Sequence, residues 1–286
     1  MNIPTVSEDV PALATHRLVR RFGRRTVIQG LDIKVPAGVV YGFLGRNGAG
    51  KTTTIRMLMG MLSPQKGRIE ILGAARSRVT AEDRRRIGYV SQEQHFYGWM
   101  TVRQLERFVG GFYPTWSTKA FDRLADQLNI DSIQTVGTLS GGTKMKLAMA
   151  LALAHKPRLL VLDEPTAGVD PIARREILTL LKQEAHERGR TVFFSTHQIA
   201  EVEDIGDWVG ILHEGRMAYQ GRVSELSGWV RKMPQAPDDG PFRVLVRETD
   251  SVTVLGRPDH FAATQIPSQP TSLDDAFYAI TQSASS

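Results

Sequence analysis

Residues 45–52 have types and spacing that suit the binding of a polyphosphate. They read Gly-Arg-Asn-Gly-Ala-Gly-Lys-Thr and fit the phosphate-loop pattern G-x-x-x-x-G-K-[ST]. Glycine lets backbone N–H groups approach an anion where a Cβ would collide, and the helix that follows directs its positive end at the same anion. Lys51 adds charge against the β- and γ-phosphates, and Thr52 adds a hydroxyl for Mg²⁺.

The elements on either side of this loop fit that interpretation. Residues 39–44 are apolar enough to predict a buried strand that leads into the loop. Residues 51–62 predict a helix that stops before Pro64. A glycine turn that binds nothing is the alternative, and the Lys-Thr pair with strand and helix flanks argues against it.

An acidic pair follows a second apolar run, residues 159–162. This run predicts a central strand, and ligands of α/β sheets bind at the carboxyl ends of such strands. Asp163 suits Mg²⁺, which prefers carboxylate and water oxygens. Glu164 points elsewhere and suits a general base for the attacking water. The alternative is a strand that ends in a solvated acidic turn.

A second anion site is predicted where Ser140, Gly141 and Gly142 begin a helix that runs through Ala154. One triphosphate does not need two such sites in one chain. The economical explanation is that this site serves a nucleotide held by a second subunit. The alternative is an ordinary capped helix.

Two further side chains are candidates for catalysis. Gln92 ends a predicted strand that begins at Arg86, where its amide reaches Mg²⁺ or the attacking water; the alternative is a surface glutamine. His197 comes just after a buried run, residues 192–194, and is placed to hydrogen-bond the γ-phosphate. A lone histidine is more often structural than catalytic, but the residues around His197 favour the catalytic interpretation.

These segments, in this order, resemble the nucleotide-binding subunit of ABC transporters over about residues 18–221. Matching segments are the Walker A loop at 45–52, the Q-loop at Gln92, the signature at 139–142, the Walker B strand ending at Asp163-Glu164, the D-loop at 167–170 and the switch histidine His197. Phe22 falls where the family places an aromatic that stacks on adenine; a core phenylalanine is the alternative. Thr143 departs from the pattern, since the family usually has Gln there, so the signature lacks that amide.

The resemblance implies an ATPase in which two subunits close head to tail around two ATP molecules. Each site would combine the Walker A, Q-loop, Walker B and switch residues of one chain with the signature of the other. The implied catalytic residues are Glu164, His197 and Gln92, and the implied Mg²⁺ ligands are Thr52, Gln92 and Asp163. The implied nucleotide-binding residues are Phe22, Asn47, Gly48, Ala49, Gly50, Lys51, Thr52, Thr53, Ser140, Gly141 and Gly142.

Strands that alternate with helices around the loop predict an α/β fold with a mostly parallel sheet. The resemblance implies a P-loop NTPase (RecA-like) core with a mixed sheet, an N-terminal antiparallel β subdomain, an inserted α-helical signature subdomain and a small C-terminal extension. We expect residues 13–228 to form the nucleotide-binding domain, with the helical part at about 93–156. Residues 229–286 are expected to be a linker and a C-terminal extension.

Local patterns add detail at the two ends of the chain. Residues 13–35 alternate enough to predict short strands. Residues 233–240 resemble a Pro/Asp/Gly linker, residues 242–255 predict two short strands, and Ser272 opens a final helix.

Composition narrows the classes of protein. The 286 residues are 41% hydrophobic and 23% charged, which is ordinary for a soluble globular protein. The absence of cysteine excludes disulfides and thiolate metal sites and fits a reducing compartment. The densest apolar stretch, residues 147–154, is too short to cross a bilayer, and the first ten residues lack the apolar core of a secretory signal.

The net charge of +6 includes arginine clusters near residues 17–25 and 84–86. Such clusters can bind nucleic acid, but no aromatic residues are interleaved with them, so a solvated face near an anionic nucleotide or lipid is favoured. No nucleic-acid partner is expected.

The expected partners are a second ATP-binding subunit, identical or related, and a polytopic membrane permease. The permease would hold the chain on the inner, cytoplasmic face of the membrane. Residues 112–116 and 154–157 look like bacterial exporter-type ATPases. We expect the permease to dock near residues 95–102, where Phe96, Tyr97, Trp99 and Met100 suit an apolar contact; internal packing of these side chains is the alternative.

Two other functions stay open at this point. A soluble ABC-type ATPase that acts on nucleic acid or ribosomes usually needs two cassettes or a long coiled-coil insertion, and the sequence shows neither. A nucleotide-dependent regulatory module without turnover is disfavoured by the intact Asp163, Glu164 and His197.

Overall fold

The computed structural model describes residues 10–76, 79–236, 242–264 and 266–282. The strands are β1 (Leu13–Phe22), β2 (Arg25–Val35), β3 (Val40–Leu44), β4 (Lys66–Ile71), β5 (Ala74–Arg76), β6 (Ile87–Val90), β7 (Leu159–Asp163), β8 (Thr191–Thr196), β9 (Trp208–His213), β10 (Arg216–Arg222), β11 (Val230–Met233), β12 (Arg243–Arg247), β13 (Val252–Leu255) and β14 (Gln269–Pro270). The helices are α1 (Lys51–Leu58), α2 (Ala81–Arg85), α3 (Val102–Gly110), α4 (Thr118–Gln127), α5 (Gly141–Ala154), α6 (Pro171–His186), α7 (Ile199–Ile205), α8 (Leu226–Trp229), α9 (Pro258–Ala263) and α10 (Leu273–Gln282).

The central sheet has the strand order β10-β9-β3-β8-β7-β6. All neighbours from β9 to β6 are parallel, and β10 is antiparallel to β9, so the predicted mixed, mostly parallel sheet is confirmed. Every residue of β3, β7 and β8 is buried, as expected for parallel strands covered on both faces. This order places the carboxyl ends of β3, β8 and β7 side by side.

An antiparallel sheet of order β2-β1-β4-β5 packs beside the central one. The short strands predicted in residues 13–35 are two long strands of 10 and 11 residues. The register of β1 shifts between Thr15 and Leu18, and Arg17 has a φ of 47° there. This bulge returns Leu18 to the buried face, so the strand continues where the alternation in the sequence breaks.

Helices α3, α4 and α5 lie within residues 93–156 and form the inserted helical part of the fold. Ser117 caps α4, because its Oγ accepts a hydrogen bond from the N–H of Ala120 at 3.2 Å. Phe121, Leu124 and Ala125 are buried and face the core.

The C-terminal extension is a small sheet of order β12-β13-β11-β14, and α10 packs against α7 and α8. The linker predicted at 233–240 is wrong at its start, since Met233 is buried in β11 opposite Val252. Residues 237–240 of that prediction lie outside the described residues. The two strands predicted within 242–255 are confirmed, and Ser272 caps α10 by accepting from the N–H of Asp275 at 3.0 Å.

Two predicted elements extend beyond the observed ones. Helix α1 ends at Leu58, before the predicted residue 62, because the chain reverses through Gly60 at a φ of 66°. The N–H of Met61 then bonds to the carbonyl of Arg56 at 2.9 Å, which closes the helix end. Strand β6 ends at Val90, so Gln92 lies in the loop after the strand and does not end it.

Within the described parts of the chain, none of the helices combines the length and apolarity needed to span a bilayer. The prediction about a secretory signal falls almost wholly on residues 1–9, outside the described residues.

Phe193 of β8 packs against two aromatic rings of the neighbouring strand β3 on one face of the central sheet. Its ring lies 5.5 Å from that of Tyr41 and 5.2 Å from that of Phe43, and all three side chains are fully buried. Neighbouring strands β3 and β8 are therefore joined by ring packing as well as by hydrogen bonds.

We expect Phe193→Ala to lower the free energy of unfolding by about 3–5 kcal/mol, since it removes a buried ring and leaves a cavity. Urea denaturation followed by circular dichroism measures this change. Phe112→Ala is the matched control: that ring is exposed, and its loss is expected to change stability by no more than about 0.5 kcal/mol. Equal effects of the two substitutions would contradict the assignment of the core.

Candidate active site

The glycine-rich loop joins β3 to α1 and has a shape that depends on glycine. Gly48 and Gly50 have φ values of 80° and 113°, which other residues rarely adopt. A Cβ on Gly50 would lie 2.6 Å from the Cδ1 of Ile28. The N–H of Gly215, in the turn between β9 and β10, donates to the carbonyl of Ala49 at 3.1 Å. The strands around the loop therefore hold it in place.

A cavity of about 490 Å³ opens beside this loop, a size typical of small-molecule sites. It brings together residues that are far apart in the sequence. Its lining consists of Phe22, Arg25, Val27, Asn47, Gly48, Gly50, Lys51, Thr52, Thr53, Gln92 and Glu164. Most of the residues predicted to bind the nucleotide within one chain thus share one cavity, and Ala49 is buried in the loop behind it.

Lys51 is a buried cation at the start of α1. Its Nζ donates to the carbonyl of Gly45 at 2.7 Å and lies 3.1 Å from Oε1 of Glu164. The lysine therefore crosses beneath the loop, and its charge is balanced by the carboxylate that follows β7.

The acidic pair at the end of β7 faces two sets of partners. Asp163 Oδ1 accepts from Ser195 Oγ at 2.8 Å and from Thr52 Oγ1 at 3.3 Å. Glu164 has a φ of 47°, an unusual backbone conformation for a residue other than glycine. This turn in the backbone directs the Glu164 carboxylate away from that of Asp163.

Ser195 is a site residue that sequence reasoning missed. Its Oγ donates to Asp163 and accepts from the backbone N–H of Glu164 at 3.0 Å, so it holds both acids. The available signal was a hydroxyl at the carboxyl end of an otherwise apolar strand, β8.

The donor set around Asp163 fits Mg²⁺. The hydroxyl of Thr52 and the carboxylate of Asp163 supply hard oxygen ligands in hydrogen-bond contact with each other. In the described ranges, no three His, Cys, Asp or Glu side chains are grouped to enclose a metal ion. A cation here would therefore take its remaining ligands from other oxygen atoms, such as the side-chain amide of Gln92, water and a bound phosphate, as Mg²⁺ commonly does.

His197 comes directly after β8 and completes the contacts of Glu164. Its Nδ1 lies 3.3 Å from Oε2 of Glu164, and the ring is 41% exposed. The glutamate carboxylate thus lies between Lys51 on one oxygen and His197 on the other. Gln92 is exposed in the loop after β6 and contributes to the wall of the cavity.

Phe22 lies at the end of β1 and is 48% exposed, so it is not a core phenylalanine. The guanidinium of Arg20 lies 4.7 Å from the centre of its ring. Arg20 is held in turn by donating through Nη1 to the carbonyl of Ser63 at 2.8 Å. A cation thus packs against the aromatic ring at the edge of the cavity.

The predicted second anion site does not join this cavity in the described part of the chain. Ser140 caps α5: its Oγ accepts from the N–H of Thr143 at 3.1 Å and lies 2.9 Å from the Thr143 hydroxyl. Ser140 and Gly141 are exposed, whereas Gly142 is buried against Asp170 and Ala173. Asp170 caps α6, and the N–H groups of Ala173 and Ile172 lower the pKa of its carboxyl.

Comparison with known proteins identifies the class. The sequence matches the ABC transporter family over residues 28–167. It is 40% identical to the bacitracin transport ATP-binding protein BcrA of Bacillus licheniformis, over 72% of this chain and 68% of that protein. It is 33% identical to the Nod factor export ATP-binding protein I of Neorhizobium galegae, over 97% of this chain and 86% of that protein.

Solved structures of ABC transporter proteins have a similar fold. An ATP-binding subunit of an ABC transporter is 27% identical with a TM-score of 0.68, over 75% of this chain and 91% of that one. A bacterial Atm1-family ABC exporter with ATP bound is 28% identical with a TM-score of 0.67, over 79% of this chain and 41% of that one.

The chain belongs to the ABC transporter ATP-binding proteins, and its fold is that of their P-loop ATPase cassette. It is an ATP hydrolase whose activity is coupled to transport.

Lys51→Ala is expected to weaken ATP binding by ~10–100-fold, because a hydrogen bond to a charged group contributes roughly 1.5–3 kcal/mol. Titration with a fluorescent ATP analogue measures the affinity. Lys119→Ala, which removes an exposed lysine of α4 away from the cavity, serves as the control. An unchanged affinity for Lys51→Ala would show that the loop lysine does not contact the phosphates.

Proposed function

We propose that ATP binds with its phosphates on the loop at 45–52 and that Glu164 is the general base for its hydrolysis. The observation that carries this proposal is the position of the Glu164 carboxylate, 3.1 Å from Lys51 Nζ and 3.3 Å from His197 Nδ1, at the wall of the cavity. A nucleotide seated there brings its γ-phosphate to the same three side chains. Phosphoryl transfer depends mainly on positioning and charge, and these residues supply both.

Each residue has a separate task in this proposal. Glu164 Oε2 takes the proton of the attacking water, while His197 hydrogen-bonds the γ-phosphate. Lys51 turns its Nζ from the carbonyl of Gly45 and the Glu164 carboxylate toward the β- and γ-phosphates. Gln92 contacts the water or the metal from the loop after β6. The exposed face of Phe22 stacks on adenine, while Arg20 packs against the ring.

Mg²⁺ fits this site through Thr52, Asp163 and Gln92. When bound, it neutralises charge on the β- and γ-phosphate oxygens. Ser195 keeps the Asp163 carboxylate oriented through its 2.8 Å hydrogen bond.

The exposed N-terminus of α5 supports a dimer in which each signature serves the nucleotide of the other subunit. Ser140 and Gly141 face solvent at the positive end of a 14-residue helix, a site suited to a phosphate. Such a shared site would couple hydrolysis to closure of the dimer. The Thr143 side chain turns back onto the Ser140 hydroxyl, so an anion must compete with this contact.

Residues 13–228 form the nucleotide-binding domain in this proposal, with the helical part at 93–156 and an extension at 229–286. The domain works with a polytopic permease, on the cytoplasmic face of the membrane. Export is the favoured direction, because Nod factor export is what one relative's name states and the structural neighbour with ATP bound is an exporter.

An exposed aromatic cluster supports the expected docking region. Phe96 packs on the core and Met100 is buried, whereas Tyr97 and Trp99 point outward. Phe108 of α3 and Phe112, which lies just after that helix, extend the patch, although the sequence did not suggest them. The cluster consists of Trp99, Tyr97, Phe108 and Phe112, whose side chains are 72%, 52%, 44% and 61% exposed. Successive rings lie 6.1, 5.6 and 5.3 Å apart, and such contiguous apolar surface is typical of a binding face.

We expect Glu164→Gln to lower the rate of ATP hydrolysis by ~10²–10⁴-fold, the usual cost of losing a general base, and to retain ATP binding. Phosphate release and nucleotide affinity are measured on the full chain. Size-exclusion chromatography with ATP tests for a trapped dimer. The control is Glu187→Gln, an exposed glutamate after α6. Hydrolysis at the wild-type rate by Glu164→Gln would refute the base assignment.

Trp99→Asp is expected to reduce co-purification of the chain with its polytopic membrane partner, because a carboxylate would be buried in an apolar contact. The ATPase rate of the isolated chain should not change. Ile133→Asp, at an exposed apolar residue elsewhere in the helical part, is the matched control. Loss of the partner with Ile133→Asp but not with Trp99→Asp would place the interface elsewhere.

A further inference from the structure

Glu201 is a fully buried carboxylate that the proposed mechanism does not use. It lies in the first turn of α7 and is not among the residues that line the cavity within the described structure. A buried charge is costly unless it is paired and hydrogen-bonded. The partners of the Glu201 carboxylate therefore indicate its role.

Both oxygens of Glu201 are engaged. Oε1 accepts from Thr166 Oγ1 at 2.5 Å, and Oε2 accepts from Thr196 Oγ1 at 2.6 Å. Arg174 Nε lies 3.1 Å from Oε1 and balances the charge. One carboxylate therefore joins the turn after β7 and the start of α6 to the end of β8.

Thr166 and Thr196 belong to the segments that carry the proposed catalytic pair. Thr166 lies two residues after Glu164, in a turn closed by the N–H of Ala167 on the Glu164 carbonyl at 3.1 Å. Thr196 directly precedes His197. Its Oγ1 also accepts from the N–H of Gln198 at 3.0 Å, and its carbonyl accepts from the N–H of Gly45 at 3.2 Å.

The third partner, Arg174, lies in the first turn of α6, which Asp170 caps. The segment from Glu164 to Asp170 is thus held at both ends: Thr166 bonds to Glu201 near its start, and Arg174 pairs with Glu201 just after its end. Glu201 therefore contacts both the start of α6, through Arg174, and the segment that carries His197, through Thr196.

We propose that Glu201 is a positioning residue that sets the separation of the Glu164 carboxylate and the His197 ring and links both to the start of α6. This inference rests on the proposed roles of Glu164 and His197. Because Glu201 acts behind the cavity, its loss should reduce turnover with little effect on ATP affinity. A purely structural ion pair would instead lower stability and reduce kcat only in proportion to the folded fraction.

Glu201→Gln keeps the shape of the side chain and removes its charge. We expect kcat for ATP hydrolysis by the full chain to fall about tenfold or more, with KM changed by no more than about twofold. Glu203→Gln is the matched control, since it removes an exposed charge from the same helix. Unchanged kcat for Glu201→Gln in a folded protein would overturn the proposal.

Thr196→Val covers the case in which Glu201→Gln does not fold, because it removes the hydroxyl that donates to Oε2 and accepts from the N–H of Gln198 while it leaves the carboxylate and its pairing with Arg174 in place. It is expected to lower kcat by a larger factor than the loss of folded protein, when both are measured well below the melting temperature of the variant. If kcat falls only in proportion to a lower melting temperature and folded fraction, Glu201 is structural and the proposal is wrong.

A double-mutant cycle tests whether Glu201 acts through His197. Single-turnover release of labelled phosphate should fall by a smaller factor when Glu201→Gln is added to His197→Ala than when it is added to the wild-type chain, because one of the two groups that Glu201 positions is then already missing. Additive losses would overturn the proposal. Absence of hydrolysis by the wild-type chain with its membrane partner would contradict the proposed function itself, which separates the two failures.

Discussion

The placement of one carboxylate between two basic side chains is the constraint on which the site depends. Glu164 contacts Lys51 through one oxygen and His197 through the other, at a place where little solvent reaches the glutamate. Such a charge is tolerated only with partners in fixed geometry. The left-handed backbone of Glu164, held by Ser195, supplies that geometry and turns its carboxylate away from Asp163.

The order of the central strands makes these contacts possible. Strands β3, β8 and β7 are neighbours although they come from separate parts of the chain, and the loops after them carry Lys51, His197 and Glu164. Burial on both faces and ring packing around Phe193 hold these strands together. The apolar core therefore determines the distances within the polar site.

One chain brings the residues of the cavity together but leaves the start of α5 exposed. The phosphate loop, Gln92 and Glu164 line one cavity, and Asp163 and His197 contact two of its lining residues, Thr52 and Glu164. The start of α5 instead faces solvent, with Ser140 capping its own helix. In the proposed dimer this helix start completes the nucleotide site of the other subunit. The exposed aromatic cluster beside α3 provides a second exposed face.

The sequence alone located the phosphate loop, the acidic pair and His197, because each is a short pattern of residue types tied to a strand end. It also predicted the C-terminal strands and the helix that Ser272 opens, where local periodicity and caps dominate. It did not predict the roles of Ser195 and Glu201, the outward turn of Phe108 and Phe112, or the burial of Met233 in β11. Those follow from long-range pairing, since a hydroxyl or carboxylate gains its role only when distant strands bring its partners within hydrogen-bond distance.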